Sequence, residues 1–238
     1  MLDLALIALP NLALSNPRMY FSLGILYIAA VVKNAGYRTE IIDYRGGIDK
    51  RLPEASVYGF SCTTPEITAA KDLALKVKGK TVVGGAHASL CPEDCEIFDS
   101  VVVGEGEEVI IEIMENFLDG TNMPQIIHAP RVRDLDSVPY PAWDMVESPF
   151  SEELFPGERY GKGAKAMTVL ASRGCPYDCN FCGNIYRTVR YRTVPNIIGE
   201  LEELKRRGVY YFRFEDDNFT LHPQFDQLCC EIKRLHVR

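Results

Sequence analysis

The sequence predicts an α/β protein that begins with a doubly wound, flavodoxin-like or Rossmann-like parallel sheet. Three observations carry this prediction: short apolar runs alternate with helical patterns, the runs are almost continuously apolar, and glycines follow the helices. The chain has 238 residues, 47% hydrophobic and 25% charged, which is ordinary for a globular protein with a core. Its formal charge of −7 argues against general nucleic-acid binding, which needs a basic face.

The elements of the first half follow one another in strand–helix order. The predicted strands are "LDLALIALP", "YRTEIIDY", "SVYGFSCTT", "KTVVGG" and "SVVVGEGE". The predicted helices are "SLGILYIAAVVKNAG", "EITAAKDLALKVK" and "EVIIEIMENFLDG", and the first and last of them end at the capping residues Gly36 and Gly120.

The apolar start of the chain does not have the pattern of a targeting or membrane segment. It carries Asp3, lacks a basic region, and is interrupted by Pro10 well short of the roughly 20 residues that a membrane span needs. Eight cysteines without such a signal fit a reducing compartment, where clustered thiols bind metals or do redox chemistry. We therefore expect a cytoplasmic protein that does not contact membranes.

A proline-rich stretch separates the two halves. Residues 121–165 contain six prolines and the only tryptophan, Trp143, which we expect to be buried. The predicted domains are therefore 1–123, a linker at 124–164, and 165–238.

The second half repeats the strand–helix alternation twice. The predicted strands are "AMTVLASRG" and "VYYFRFEDDNF", and the predicted helices are "VPNIIGELEELKRRG" and "HPQFDQLCCEIKRL". In the last helix, at least one of Cys229 and Cys230 is expected to lie in the core.

The segment "SRGCPYDCNFCGN" places three cysteines in the spacing C-x3-C-x2-C directly after a predicted strand. Three thiolates on a four-iron cluster leave one iron open, and an open coordination position on a metal is where a small molecule binds. The alternative is a zinc site completed by His222, Cys229 or Cys230, although zinc sites usually bring a second close pair of ligands.

This segment resembles the signature of the radical S-adenosylmethionine (SAM) superfamily. The resemblance implies that Cys175, Cys179 and Cys182 hold a 4Fe–4S cluster and that Phe181 lies along the SAM adenine. It further implies that SAM chelates the open iron and is cleaved reductively to a 5′-deoxyadenosyl radical. An electron donor such as flavodoxin or ferredoxin would then be a partner.

The second strand of this block ends in "FRFEDDNFT". The family often carries a Gly-Gly-Glu segment there to hold the SAM ammonium group, and this chain lacks it. We expect Asp216 or Asp217 to face the site instead and to accept charge-assisted hydrogen bonds. The alternative is a solvated turn with an acidic helix cap.

The first half resembles the cobalamin (B12)-binding domain found before many radical-SAM cores. The resemblance rests on "SLGILYIAAVVKNAGYRTEIIDY", "GFSCTT", "VVGGAHAS", "VGEGE" and "PYPAWD", and it implies cobalamin as a further cofactor. Hydroxyl donors and glycines that admit a ligand follow apolar strands that end at one edge of the sheet. The alternative is a set of ordinary tight turns. The candidate binding residues are Ser61, Thr63, Thr64, Gly84, Gly85, Gly104 and Glu105.

One cobalamin motif is missing. In the Asp-x-His-x-x-Gly motif of many such domains the histidine coordinates cobalt, whereas here Tyr44, Arg45 and Gly46 follow the aspartate. His87 is expected to make local hydrogen bonds, and Cys91 and Cys95 are interpreted as incidental.

The resemblance also implies a partial (β/α)6 barrel, of which two strand–helix units follow the linker. We expect either a truncated piece of a longer enzyme or a partner chain that completes the barrel. The predicted function is a radical SAM enzyme acting on a small molecule or peptide, by methyl transfer or cyclisation, with unidentified catalytic residues. The alternatives are a non-catalytic iron–sulfur or zinc-binding module and an inactive fragment.

Overall fold

The structure, a computed structural model, describes residues 1–17, 21–47, 51–121, 123–146, 166–183 and 186–238. These residues form two compact units. The first unit comprises Met1–Val132 and Pro139–Glu147, and the second comprises Arg133–Val138 and Ser148–Arg238.

The first unit is built on a six-stranded sheet with the order β2-β1-β3-β4-β5-β6, in which every pair is parallel. The order 2-1-3-4-5 is that of flavodoxin-like folds, so the predicted fold class is confirmed. The sixth strand lies within the range predicted as linker. The strands are β1 (Leu2–Ala8), β2 (Thr39–Asp43), β3 (Ala55–Ser61), β4 (Lys80–Gly84), β5 (Ser100–Val103) and β6 (Ile126–His128).

Four helices accompany this sheet. They are α1 (Leu23–Asn34), α2 (Ile67–Ala74), α3 (Ala86–Leu90) and α4 (Ile110–Asp119). Gly36 and Gly120 adopt φ angles of 87° and 70° just after α1 and α4, as expected of C-terminal glycine caps. The five-residue helix α3 was not predicted, because it is too short to show a period.

Trp143 is buried in the first unit, with 5% of its surface exposed, which confirms its predicted role. The backbone N–H of Ala142 donates to the carbonyl of Leu26 at 3.1 Å, so this part of the proline-rich stretch is tied to α1. A segment that the sequence predicted as a linker therefore covers the first unit's own helix.

The topology creates a crevice at the carboxyl edge of the sheet. The chain runs from β1 to its neighbour β2, and then returns to place β3 on the other side of β1. Loops that leave β1 and β3 therefore diverge, which is where doubly wound proteins bind ligands. The candidate residues of the first unit follow β3, β4 and β5.

The second unit has two parallel strands joined through a helix, and a short antiparallel pair. The first two βα units of the predicted barrel are thus present, and the antiparallel pair was not predicted. The elements are β7 (Ala166–Val169), β8 (Ser172–Arg173), β9 (Arg190–Tyr191), α5 (Val194–Arg206), β10 (Tyr211–Phe214) and α6 (Phe225–Arg234).

One packing prediction in this unit is wrong. Cys229 and Cys230 are both exposed, and Leu228 is the buried residue of α6. Neighbouring positions on a helix point about 100° apart, so a narrow buried face centred on the larger apolar side chain leaves both thiols outside.

No helix within the described residues is long and apolar enough to cross a bilayer.

Candidate functional site

Backbone hydrogen bonds join the loops after β3 and β4. The N–H of Cys62 donates to the carbonyl of Gly84 at 2.9 Å, and the N–H of His87 donates to the carbonyl of Cys62 at 3.0 Å. Cys62 itself is buried, and burial raises the pKa of its thiol. The two loops therefore form one connected edge.

Gly85 is required by the fold at this edge. It adopts a φ of +93°, and a Cβ added there would lie 2.9 Å from the backbone N and O of Cys62. Gly84 faces no such limit, because its nearest neighbour would be the Cβ of Val102 at 3.7 Å. The sequence analysis expected Gly85 to allow a ligand to approach the backbone. In the structure, Gly85 allows the loops after β3 and β4 to pack closely against each other.

The residues after β5 are also bonded within the unit. The N–H of Gly104 donates to Ser89 Oγ at 3.0 Å, and that hydroxyl donates to the carbonyl of Gly85 at 2.8 Å. Glu105 is buried and its Oε2 accepts the N–H of Val132 at 2.8 Å. Ligand contacts by Gly104 and Glu105 remain predictions, and both residues have a structural role.

The hydroxyl groups after β3 have separate surroundings. Thr63 Oγ1 donates to Glu66 Oε2 at 2.8 Å and accepts from Asn11 Nδ2 at 3.4 Å. Ser61 Oγ makes no hydrogen bond with a described residue, and it would lie 3.4 Å and 3.0 Å from a Cβ at Gly24 and Gly85. Ser61 therefore sits between two glycines with its donor unused within the described part of the chain.

His87 is buried, with 6% of its surface exposed, and is bonded on both ring nitrogens. Its Nδ1 lies 3.2 Å from Thr64 Oγ1 and its Nε2 lies 2.9 Å from Asp94 Oδ2. The expectation of local hydrogen bonds is confirmed. Lys71 Nζ lies 2.7 Å from Asp94 Oδ1, and Lys71 first, then His87, lower the pKa of that carboxyl. Sequence analysis missed Lys71 and Asp94, because "CPEDC" was considered for its cysteines alone.

Arg45 occupies the position where the Asp-x-His motif would place histidine. Its Nε and Nη2 lie 3.0 Å and 2.8 Å from the two carboxylate oxygens of Asp43, and its guanidinium lies 4.2 Å from the centre of the Phe21 ring. A guanidinium stays protonated and has no lone pair to give, so this position does not supply a metal ligand.

The cysteine loop of the second unit rises from the β8–β9 pair, its stem. Ser172 pairs with Tyr191 and Arg173 with Arg190. Gly174 adopts a φ of +97°, and a Cβ there would lie 2.6 Å from the carbonyl oxygen of Thr188, so the loop entrance requires glycine.

Within the loop, the thiols lie near the surface. Cys179 and Cys182 are exposed, Cys175 is half-buried, and none of the three forms a disulfide. The N–H of Cys182 donates to the carbonyl of Cys179 at 3.0 Å, which makes a tight turn between them. Phe181 is 88% exposed, so its ring is available to a ligand.

No group of three or more His, Cys, Asp or Glu side chains is arranged to hold a single metal ion among the described residues. A single ion gathers its sulfur ligands at about 2.3 Å, whereas a cluster divides them among several irons. Ligation of a cluster by the three cysteines stays a prediction.

Asp216 bonds to the strand end that leads into the loop. Its carboxylate accepts the N–H of Ala171 at 3.1 Å and the hydroxyl of Ser172 at 2.5 Å, and burial raises its pKa. Asp217 is exposed. Because its carboxylate is already engaged, Asp216 supports the loop stem, and contact with a cofactor by either aspartate remains a prediction.

A buried ion pair holds the same stem from the other side. Arg192 Nη1 lies 2.5 Å from Glu200 Oε2 and donates to the carbonyl of Leu170 at 2.7 Å. The Arg192 backbone N–H donates to the carbonyl of Ala171 at 2.9 Å. Sequence analysis missed this pair, because a charge on a helix is ordinarily solvated.

His222 is also engaged in the stem. Its Nδ1 accepts the N–H of Gln224 at 3.1 Å, so the proton is on Nε2, which donates to the carbonyl of Arg192 at 3.0 Å. Both ring nitrogens are used, and the zinc alternative therefore loses His222 as a ligand.

Two family models match the chain in the order of its two units. The B12 binding domain model matches residues 17–114, and the radical SAM superfamily model matches residues 169–238. The matches identify a B12-binding domain in the first unit and a radical SAM domain in the second.

The chain is similar to curated proteins across both domains. It is 26% identical to the anaerobic magnesium-protoporphyrin IX monomethyl ester cyclase of Cereibacter sphaeroides, with 87% of this chain and 39% of the cyclase aligned. It is 27% identical to an uncharacterized methyltransferase of Pyrococcus horikoshii, with 85% and 50% aligned. The chain thus spans half or less of the length of these two relatives.

A solved structure has the same fold. The radical S-adenosylmethionine methyltransferase TsrM from Kitasatospora setae, solved with cobalamin and a 4Fe–4S cluster bound, superposes with a TM-score of 0.66 and 16% identity. The superposition covers 99% of this chain and 51% of TsrM. At this identity the likeness establishes the fold.

Proposed function

We propose that the chain is the cobalamin- and cluster-binding part of a radical SAM enzyme. The observation that carries the proposal is a loop with three free thiols, fixed at both ends by a half-buried stem, in the segment that the radical SAM model matches. A cluster bound there by Cys175, Cys179 and Cys182 would keep one iron open for SAM.

The residues present fit such a cluster. Thiolates are its usual ligands, the three cysteines lie close in sequence, and none is tied up in a disulfide. Such a cluster, once reduced by one electron from a donor such as flavodoxin or ferredoxin, would supply the electron for cleavage of SAM into methionine and the 5′-deoxyadenosyl radical.

The chain's own residues position the loop and the cofactor. Asp216 and Arg192 hold the two sides of the stem, and the exposed ring of Phe181 is available to stack on adenine. In the first unit, Ser61, Thr63 and Thr64 stand at the crevice where cobalamin would bind.

The reaction class is proposed from the relatives, which include a cyclase and methyltransferases. We infer methyl transfer or cyclisation of a small molecule in the cytoplasm. A non-catalytic iron–sulfur module would prefer four cysteine ligands, and a zinc module loses His222.

Anaerobic reconstitution with iron and sulfide tests this proposal. We expect visible thiolate-to-iron absorption, and 5′-deoxyadenosine after addition of SAM and dithionite. Cys179→Ser should abolish both signals, while Cys229→Ser, an exposed cysteine outside the loop, should leave them unchanged. A colourless protein with stoichiometric zinc, or equal loss in both variants, would contradict the proposal.

A further inference from the structure

The two threonines after β3 both direct their hydroxyl protons into the protein. Thr63 Oγ1 donates to the Glu66 carboxylate at 2.8 Å, and the Thr63 backbone N–H reaches the same oxygen at 2.7 Å. A carboxylate is an acceptor only, so the direction of this hydrogen bond is fixed. Thr63 Oγ1 also accepts from Asn11 Nδ2 at 3.4 Å and from the Glu66 backbone N–H in a capping box, so its lone pairs are engaged within the protein.

The direction of the Thr64 hydrogen bond follows from the tautomer of His87. Nε2 lies 2.9 Å from an Asp94 carboxylate that Lys71 keeps ionised, so Nε2 must carry the proton. In the neutral imidazole Nδ1 is then a bare acceptor, and Thr64 Oγ1 at 3.2 Å is its donor. Thr64 is exposed and keeps two lone pairs for a ligand.

We propose that this edge, formed by Thr63 and Thr64, recognises N–H donors and discriminates against anions. The inference rests on the proposed cobalamin site and specifies its chemistry: the Thr64 hydroxyl accepts from a primary amide on the corrin rim. Sequence analysis considered Thr63 and Thr64 as hydroxyl donors, and the proposal makes Thr64 an acceptor instead.

Two features reinforce the preference of this edge for N–H donors over anions. Each hydroxyl is backed by a carboxylate, Glu66 directly and Asp94 through His87, and chained hydrogen bonds strengthen the terminal acceptor. A phosphate or carboxylate placed here would face the lone pairs of Thr64 and the Glu66 carboxylate, while the charge of Asp94 is balanced by Lys71. An amide nitrogen would meet acceptors without any rearrangement, because the protons are already committed.

The tautomer is testable without any cofactor. At pH 8 an ordinary imidazole is neutral, and two-dimensional 15N NMR separates its two tautomers. The chain has four histidines, so His87→Phe identifies the His87 signals by their disappearance. We expect the Nε2-protonated form, and an Nδ1-protonated form would overturn the proposal.

Ligand discrimination is the second test, with dicyanocobinamide, which carries amides, and dicyanocobyrinic acid, which carries carboxylates. The wild-type chain should bind dicyanocobinamide more tightly than dicyanocobyrinic acid. Thr64→Val should weaken the binding of dicyanocobinamide about tenfold, the effect of one hydrogen bond. Thr64→Ser should restore the affinity for dicyanocobinamide. Thr68→Val, at an exposed threonine on α2, should leave this affinity unchanged. His87→Phe frees the Thr64 proton, so it should bring the two affinities together.

The outcomes distinguish failure of the proposed preference for N–H donors from failure of the proposed cobalamin site. Binding of both probes with equal affinity would contradict the proposed preference for N–H donors over anions, without contradicting the proposed cobalamin site. The effect of His87→Phe should disappear in the Thr64→Val background. If the effect persists unchanged, the proposed preference is also contradicted, because the histidine does not then act through Thr64. Failure of both probes to bind removes the cobalamin site and this inference together. Circular dichroism confirms that each variant is folded.

Discussion

The edge of the first sheet and the stem of the cysteine loop each depend on a carboxylate, in opposite electrostatic settings. Asp94 is paired with Lys71 and bonded to His87, and its pKa is lowered. Asp216 is bonded to Ala171 and Ser172, without a cation among these partners, and burial raises its pKa. The first carboxylate orients His87 and, through it, Thr64 at the proposed ligand site, and the second holds Ala171 and Ser172 at the loop stem.

The largest expected effect tests the stem. Arg192→Leu breaks the buried ion pair with Glu200, and removal of one partner from such a pair costs about 3–5 kcal/mol of unfolding free energy. Hydrogen exchange measures the loss in α5 and β9. The only tryptophan belongs to the first unit, so its fluorescence serves as an internal reference. The matched control is Arg207→Leu, whose partially exposed pair with Glu203 is worth about 0–1 kcal/mol. Equal effects of both would show that the buried pair does not hold the stem.

The second effect tests how rigidly the loops after β3 and β4 are held together. Gly85→Ala places a methyl group 2.9 Å from the backbone of Cys62 at a φ of +93°, and should cost about 1–3 kcal/mol in urea unfolding. Gly84→Ala meets only an ordinary contact at 3.7 Å and should change stability by less than about 0.5 kcal/mol. If the two variants unfold alike, the loops after β3 and β4 do not constrain each other.

The third effect is a pH dependence at Asp216. Because its pKa is raised in the folded protein, the folded state binds the proton more tightly than the unfolded state. Its contribution to stability is therefore fully present below the ordinary aspartate range and is lost as pH rises through the raised pKa. Asp216→Asn should remove this decline in unfolding measured from pH 3 to pH 8. A decline of unchanged size in the variant would assign it to other groups.

The smallest effect concerns Lys71. Its pair with Asp94 is exposed to solvent, so Lys71→Met should change the stability of the protein little. It should nevertheless raise the pKa of Asp94 toward its ordinary value, since Lys71 is the main cause of the lowering. Carboxyl 13C NMR titration follows this change, and an unmoved pKa would assign the lowering to His87 instead.

Sequence patterns predicted the sheet well, because its first five strands have recognisable apolar runs and the two longest helices of the unit, α1 and α4, end near glycines. They missed β6 and the β8–β9 pair, which are two or three residues long and carry no period. The site was predicted by residue type: the cysteines, Phe181 and the hydroxyls are recognisable by chemistry alone. Arg192, Glu200 and Asp94 act through contacts between distant positions, which no local pattern encodes.

All three thiols come from eight consecutive residues, 175–182, above a stem that closes on itself. Gathering them costs only the chain entropy of a short loop and requires no pairing between remote parts of the sequence. If the three thiols bind the proposed cluster, we expect iron and sulfide to be inserted after the stem has folded, and a lost cluster to be replaced without unfolding of the chain.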